Sequence, residues 1–261
     1  MQLRVLGCYG GEQVGFRLTS FLLNDSILLD AGSPASVLSL EEQHRIRHIC
    51  VSHTHLDHIK DIAFMADNRS IKRFSGPTEN ENITIHTLAE NNQILRDHFL
   101  NGHIWPDFTA IPNCANGILK LHDIESEKAF NIDGVRITPI AVNHPVPCIG
   151  FLLEQDDKQF IYSADTGNTD RLWEIANAQA NLQGVIIDCS FTNDNQFLAD
   201  ISGHMTAQGI MKDLKKLKQP VRVPIYLYHM KPESLKIIID EVATLNMPNL
   251  RMLQQDEILH I

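Results

Sequence analysis

Short apolar runs closed by turn residues or by clusters of polar side chains recur along this chain. Val5–Leu6, Phe21–Leu23 and Ile27–Asp30 predict strands separated by Gly and Asn-Asp turns. The apolar stretch His48-Ile49-Cys50-Val51 leads directly into Ser52-His53-Thr54-His55-Leu56-Asp57-His58. Helical spacing of apolar positions follows over Ile59–Asn68. It returns over Leu88–Leu100, where Leu88, Ile94, Leu95, Phe99 and Leu100 fall on or near one face. Ile83–Ile85 predicts a strand between them, and Asn101–Phe108 a loop rich in aromatic and polar groups. Val135–Ile140, Ile149–Leu153 and Phe160–Ser163 have strand character again. Arg171–Ala180 predicts a helix, and Val185–Ile187 a strand ending in Asp188. Ala207–Leu217 reads as a basic amphipathic helix with a solvated face, Val223–Leu227 as a strand ending in Tyr228-His229, and Pro232–Leu245 as a last helix. No repeat, low-complexity tract or linker interrupts the order. Mostly apolar strands with interleaved helices, the pattern occurring twice, predict two packed sheets flanked by helices in one domain over residues 1–261.

Composition narrows the class. The chain has 261 residues, of which 43% are hydrophobic and 21% charged, as expected of a soluble globular protein with a substantial core. A formal net charge of −10 argues against a long nucleic-acid polymer as the main partner. Met1 to Gly7 reads as a strand without the charged and long apolar regions of a signal peptide, and no run reaches the length of a membrane span. Cys8, Cys50, Cys114, Cys148 and Cys189 are scattered, with no C-x-x-C pair, which leads us to expect a reduced, cytoplasmic protein.

The candidate chemistry lies where strands end. His53, His55, Asp57 and His58 crowd imidazoles and a carboxylate onto the edge of a sheet, a donor set suited to zinc and similar divalent ions. Further along, Ala141-Val142-Asn143 leads to His144, Ile161-Tyr162-Ser163-Ala164 to Asp165, Val185-Ile186-Ile187 to Asp188 and Ile225-Tyr226-Leu227-Tyr228 to His229. Asp30 before Ala31-Gly32-Ser33 is either outer support for such a site or a turn residue. Gly7, Gly10, Gly11 and Gly15 lack Walker spacing and read mainly as turn residues, with substrate contact as the alternative. Cys148 and Cys189 read as small buried apolar residues.

The order H-x-H-x-D-H, His, Asp within Ser-Ala-Asp-Thr-Gly, then a late His resembles the metallo-β-lactamase superfamily of binuclear hydrolases along essentially the whole chain. Within it the sequence is most similar to the class II cyclic-nucleotide phosphodiesterases. The similarity lies in Ser52-His53-Thr54-His55-Leu56-Asp57-His58-Ile59, in the stretch from Asp97-His98-Phe99-Leu100-Asn101 to Ile104-Trp105-Pro106-Asp107-Phe108, and in Ser202-Gly203-His204-Met205-Thr206. It departs from that class at Asp61, where a glycine is usual.

The resemblance implies an α/β fold, a four-layer αββα sandwich, and two divalent metal ions, zinc first, with manganese or iron as alternatives. His53, His55 and His144 would hold one ion, Asp57, His58 and His229 the other, and Asp165 would join them. A metal-bridging hydroxide would be the nucleophile, acidified by the ions. Asp165 stands where antibiotic-hydrolysing zinc enzymes commonly carry Cys. Asp57, His204 and Asp188 make up the catalytic set: His204 would protonate the leaving group or hold the phosphate, and Asp188 would orient it. The blander alternatives are a helix-cap histidine and a strand-end carboxylate. His98, His103 and Trp105 line a nucleobase pocket or belong to the core.

The activity implied is hydrolysis of a small-molecule phosphodiester, first a 3′,5′-cyclic nucleotide, with a homodimer as a further option. The rivals are RNA processing of the tRNase Z type, a thioester or lactone hydrolase and, from another class, a non-catalytic metal-binding module. No basic, Gly/Pro-rich arm for tRNA is evident in the sequence.

Overall fold

Alternation along the strands sorts side chains into an inner and an outer set, and this sorting builds the layers. The structure is a computed structural model that describes residues 1–75, 82–219 and 222–261. In chain order the strands are β1 (Gln2–Gly7), β2 (Ser20–Leu23), β3 (Ile27–Leu29), β4 (His48–Cys50), β5 (Ile83–Thr87), β6 (Leu119–Asp123) and β7 (Phe130–Ile132). They continue as β8 (Val135–Ala141), β9 (Ile149–Gln155), β10 (Lys158–Tyr162), β11 (Leu182–Asp188), β12 (Ile225–Tyr228), β13 (Leu250–Met252) and β14 (Ile258–His260). One seven-stranded sheet has the order β14-β1-β2-β3-β4-β5-β6, the other β13-β12-β11-β10-β9-β8-β7.

Between the sheets, Leu3, Val5, Phe21, Leu23, Ile27 and Leu29 meet Val135, Ile137, Phe151, Leu153, Phe160 and Tyr162. The alternate positions Leu22, Leu28 and Ile49 face outward onto Ile59, Ile62, Met65 and Ala66 of the helix Leu56–Ser75. On the far side, Leu152, Ile161, Val185, Ile187 and Leu227 face Leu172 and Trp173, Ile210 and Leu214, and Ile238 and Val242 of three further helices. Period-two strands between amphipathic helices thus give helix, sheet, sheet, helix. This is the αββα sandwich expected. β3 to β6 are mutually parallel, as are β10 to β13. Parallel strands bring their carboxyl ends to one rim of each sheet, where β4, β10, β11 and β12 release the ligand-type residues.

Several boundaries differ from the pattern. The Leu88–Leu100 helix is an α-helix over Ala89–Ile94 that widens into a π turn over Leu95–Phe99, closed by Leu100 N–H donating to Leu95 O at 2.7 Å. The helix after Arg171 stops at Ala178 because Gln179 is extended. The Ala207 helix ends at Leu214, and its apolar face, Ile210 and Leu214, is buried against the second sheet, leaving only the opposite side to water. Pro232–Ser234 forms a 3₁₀ turn before the last helix, Leu235–Ala243. The strand expected from Val223 begins at Ile225, after Pro224, and reaches Tyr228. β6, β7, β13 and β14, which the apolar pattern missed, are the edge strands of the two sheets.

Candidate metal centre

The loop after β4 is shaped by a carboxylate from the preceding strand pair. Asp30 is fully buried, and its Oδ1 accepts the Ser52 N–H at 2.7 Å. Its Oδ2 takes the Ser52 hydroxyl at 2.8 Å, the Tyr162 hydroxyl at 2.6 Å and His58 Nδ1 at 2.8 Å. Asp30 is therefore outer support for the cluster, and the turn it makes at φ 55° is held by those bonds. Gly32 lets the chain return close by, since a Cβ there would lie 2.2 Å from the Asp57 carbonyl.

Each histidine is oriented through one nitrogen, which decides what the other can do. His53 Nδ1 meets Ser52 Oγ at 3.0 Å, His58 Nδ1 meets Asp30, His229 Nδ1 meets Ser190 Oγ at 2.8 Å, and His144 Nδ1 donates to Gly203 O at 3.0 Å. In all four the Nε2 atom is left to face the centre. His55 is reversed: its Nδ1 lies 3.3 Å from His144 Nε2. Asp165 Oδ2 sits 3.2 Å from His58 Nε2, 3.3 Å from His229 Nε2 and 3.6 Å from His53 Nε2. Asp57 Oδ2 is 3.2 Å from His229 Nε2 and 3.9 Å from His58 Nε2.

Two groups with ligand-type atoms within 4.8 Å of one another result, His53, His55, His144 and Asp165, and Asp57, His58 and His229. A third joins Asp165, Asp188, His204 and His229. The centre fits divalent cations on its own geometry. His53 Nε2 is buried with no hydrogen-bond partner, although it points at the shared carboxylate. A buried imidazole nitrogen without a partner is costly unless something binds its lone pair.

Two buried histidines shift in opposite directions for a visible reason. Burial, with the neighbouring His58 adding to it, pushes His53 well below the usual histidine range despite Asp165. Burial also acts against a charge on His58, but Asp165, Asp30 and Asp57 outweigh it and hold that ring well above. Both carboxylates work against burial as well: His229 and His58 keep Asp165 well below the usual range, and His58 and His229 do the same for Asp57. Cation binding here would displace protons from the imidazoles.

A second imidazole–carboxylate pair flanks the centre. Asp188, at the end of β11, places Oδ2 2.6 Å from His204 Nδ1. Its Oδ1 accepts the Met205 N–H at 3.2 Å and the Ser190 hydroxyl at 2.9 Å. Burial opposes a proton on His204, yet Asp188 raises its pKa. The His204 ring stacks on His229, with centroids 5.1 Å apart and planes at 13°. Ser190 and Tyr228 were not singled out in the sequence. Single hydroxyls next to apolar runs carry no pattern; only their position beside Asp188 and His229 marks them. Gly10 passes so close that a Cβ would lie 2.5 Å from His229 Nδ1, so this glycine makes room for the histidine.

Of the two readings of His98, His103 and Trp105, a nucleobase pocket or the core, the contacts of Trp105 match the second. His98 and His103 are exposed. Trp105 packs edge-on against Phe64, 5.2 Å between centroids, and its Nε1–H donates to Ala63 O at 3.0 Å. Its indole is thus docked on the outer helix Leu56–Ser75. Among the described residues, no hydrogen bond or ring contact links these three to the His/Asp cluster. Asp61, where glycine is usual, turns away from the centre and accepts the Ala35 N–H at 2.8 Å, capping the short helix Pro34–Val37. Cys148 and Cys189 are buried, as expected.

Residues 25–230 match the β-lactamase superfamily domain. The chain is 28% identical to a protein of Yersinia pestis named a probable 3′,5′-cyclic-nucleotide phosphodiesterase, across 91% of this chain and 82% of that one. It is 26% identical to a 3′,5′-cyclic-nucleotide phosphodiesterase of Aliivibrio fischeri, across 82% of this chain and 74% of the relative. Unliganded yeast PDE1 shares the fold, with a TM-score of 0.80 at 16% identity over 100% of this chain and 99% of the other.

Proposed function

Because the chain belongs to the β-lactamase superfamily and is a hydrolase, we propose that it is a binuclear metal-dependent phosphodiesterase acting on small 3′,5′-cyclic nucleotides. His53, His55 and His144 would hold one divalent cation, Asp57, His58 and His229 the other, and Asp165 both. When bound, the cations supply Lewis acidity toward phosphoryl oxygens and acidify water at neutral pH.

The observation that carries the reading is the imidazole–carboxylate pair beside the centre, His204 with Asp188. Asp188 takes the Nδ1–H of His204 at 2.6 Å and favours the ring's charged form, the form in which Nε2 carries a second proton. When a water that has given one proton to solvent adds its oxygen to phosphorus and the bond to the sugar oxygen breaks, His204 gives its Nε2 proton to the departing oxygen and regains one from solvent, with Asp188 stabilising the charged ring before transfer. An alkoxide leaving group benefits from such a donor. The names of the relatives from Yersinia pestis and Aliivibrio fischeri support the same substrate class. No helix among the described residues is long and apolar enough to cross a membrane.

A panel with added zinc or manganese tests the proposal: cyclic AMP, cyclic GMP, bis(p-nitrophenyl) phosphate, a precursor tRNA, a thioester and a lactone. Turnover of the cyclic nucleotides with loss of about 10²–10⁴ in rate on His204→Ala is the expected result. Cleavage of the tRNA, thioester or lactone without the cyclic nucleotides would overturn it.

A further inference from the structure

The two oxygens of Asp165 have different surroundings. Oδ2 faces the Nε2 atoms of His58, His229 and His53, whereas Oδ1 accepts the Tyr228 hydroxyl at 2.9 Å. Tyr228 ends β12 on the strand that delivers His229, and it is fully buried among Phe21, Tyr162 and the His229 ring. The Tyr162 hydroxyl lies 3.4 Å from that of Tyr228 but bonds Asp30 Oδ2 at 2.6 Å. A phenol has one proton to give, and a carboxylate is a stronger acceptor than another phenol. Each tyrosine therefore spends its proton on a carboxylate. The pair forms two separate clamps, one on Asp30 in the first sheet and one on Asp165 in the second.

We propose that Tyr228 is a positioning residue that sets how Asp165 is shared between two cations. With Oδ1 held by the phenol, Oδ2 would be the oxygen presented to both cation positions, and the carboxylate would join them through that one oxygen. The inference rests on the metal centre described above and goes beyond it. It assigns to a phenol in the intersheet core the choice between a one-oxygen and a two-oxygen bridge.

Tyr228→Phe keeps the ring and deletes the phenol oxygen. Cobalt(II) is titrated into the metal-free, full-length wild type and variant, and the spin coupling of the loaded forms is read by electron paramagnetic resonance. The expected result is affinity for at least one ion weakened by about tenfold to a hundredfold, with altered coupling as Oδ1 becomes free to bind. A merely structural role would lower the melting temperature of the metal-free chain and leave affinity and coupling at wild-type values; that result would overturn the proposal. If the variant does not fold, a crystal structure of the cobalt-loaded wild type decides. Both ions on Oδ2 with Oδ1 on Tyr228 supports the inference, and an ion on Oδ1 overturns it. Failure of the centre itself is seen separately, as fewer than two ions bound by the wild type before any substitution, and it removes the inference with it.

Discussion

Two sets of histidines sit on the first sheet or at its rim, and they are built on opposite principles. At the rim, His53 and His58 turn Nδ1 outward to a hydroxyl or a carboxylate and bring Nε2 toward Asp165. Across β4, β5 and β6, His48, His86 and His122 instead form a ladder. His48 Nδ1 meets His86 Nε2 at 3.0 Å, and His86 Nδ1 meets His122 Nδ1 at 3.2 Å. Both nitrogens of His86 are thus spent on other rings, one as donor and one as acceptor, and its face stacks on Phe130. Proximity of imidazoles is common to both sets. What separates them is whether the lone pairs converge, and that depends on the residues behind the rings.

The largest effect should come from breaking the convergent set. His58→Ala is expected to cost at least one cation per chain. Turnover should fall by more than the roughly 10–100-fold typical of losing an outer hydrogen-bond partner. His86→Ala should leave the cation count at its wild-type value. Elemental analysis after reconstitution reads both. A loss of bound metal from the ladder variant would erase the contrast.

Next in size is Asp188→Asn. Burial works against a proton on His204 and the Asp188 carboxylate raises its pKa, so neutralising Asp188 lowers it. A proton donor fails once pH rises above its pKa. The alkaline limb of the pH–rate profile should therefore move to lower pH in the variant, with activity reduced about tenfold at neutral pH. His48→Ala should leave the limb in place. An unmoved limb in Asp188→Asn would remove His204 from the proton-donor role.

How much of this was legible depended on how each residue announces itself. The residues of the centre close apolar strands as His or Asp, types that rarely end several strands of one chain by accident, and the loop His53 to His58 packs four of them together. Their outer partners do not stand out. Ser52, Ser190 and Tyr228 are single hydroxyls beside apolar runs, and the Gly203 carbonyl is backbone. The sandwich could be read because its central strands, packed on both faces, are nearly continuous apolar runs between helical stretches. β13 and β14 are too short for a period to show, and β14 pairs with β1 from the far end of the chain. Trp105 stayed open between a ligand platform and a core residue, because an aromatic ring in a polar loop fits both until its N–H partner is known.

The ladder itself supplies a smaller test. Burial, with His48 and His122 adding to it, pushes His86 from 6.5 down to about 3. Between those values the unfolded chain holds a proton that the folded chain refuses, so stability is present above about pH 6.5 and is lost as pH falls toward 3. His86→Gln removes this titration. The difference in melting temperature between pH 7 and pH 4.5 should shrink by on the order of a few degrees relative to wild type. Measuring both proteins free of metal keeps the convergent set the same in each. An unchanged difference would mean that acid acts on the rim histidines alone.

Trp105→Phe should have the smallest effect and still separates a docked ring from a substrate platform. The substitution removes the Nε1–H bond to Ala63 O while keeping an aromatic ring against Phe64. A net cost of about 1 kcal/mol is expected for such a bond, read as a lower denaturation midpoint. KM for the proposed cyclic-nucleotide substrate should stay within about twofold, and the same should hold for His98→Ala and His103→Ala, whose rings are exposed. The decisive result is the pairing of the two measurements. Lower stability with constant KM places Trp105 in the outer layer, where its polar atom is already satisfied like those of His86. Constant stability with a several-fold higher KM would restore it as a base-stacking residue and require the loop to fold over the centre when substrate binds.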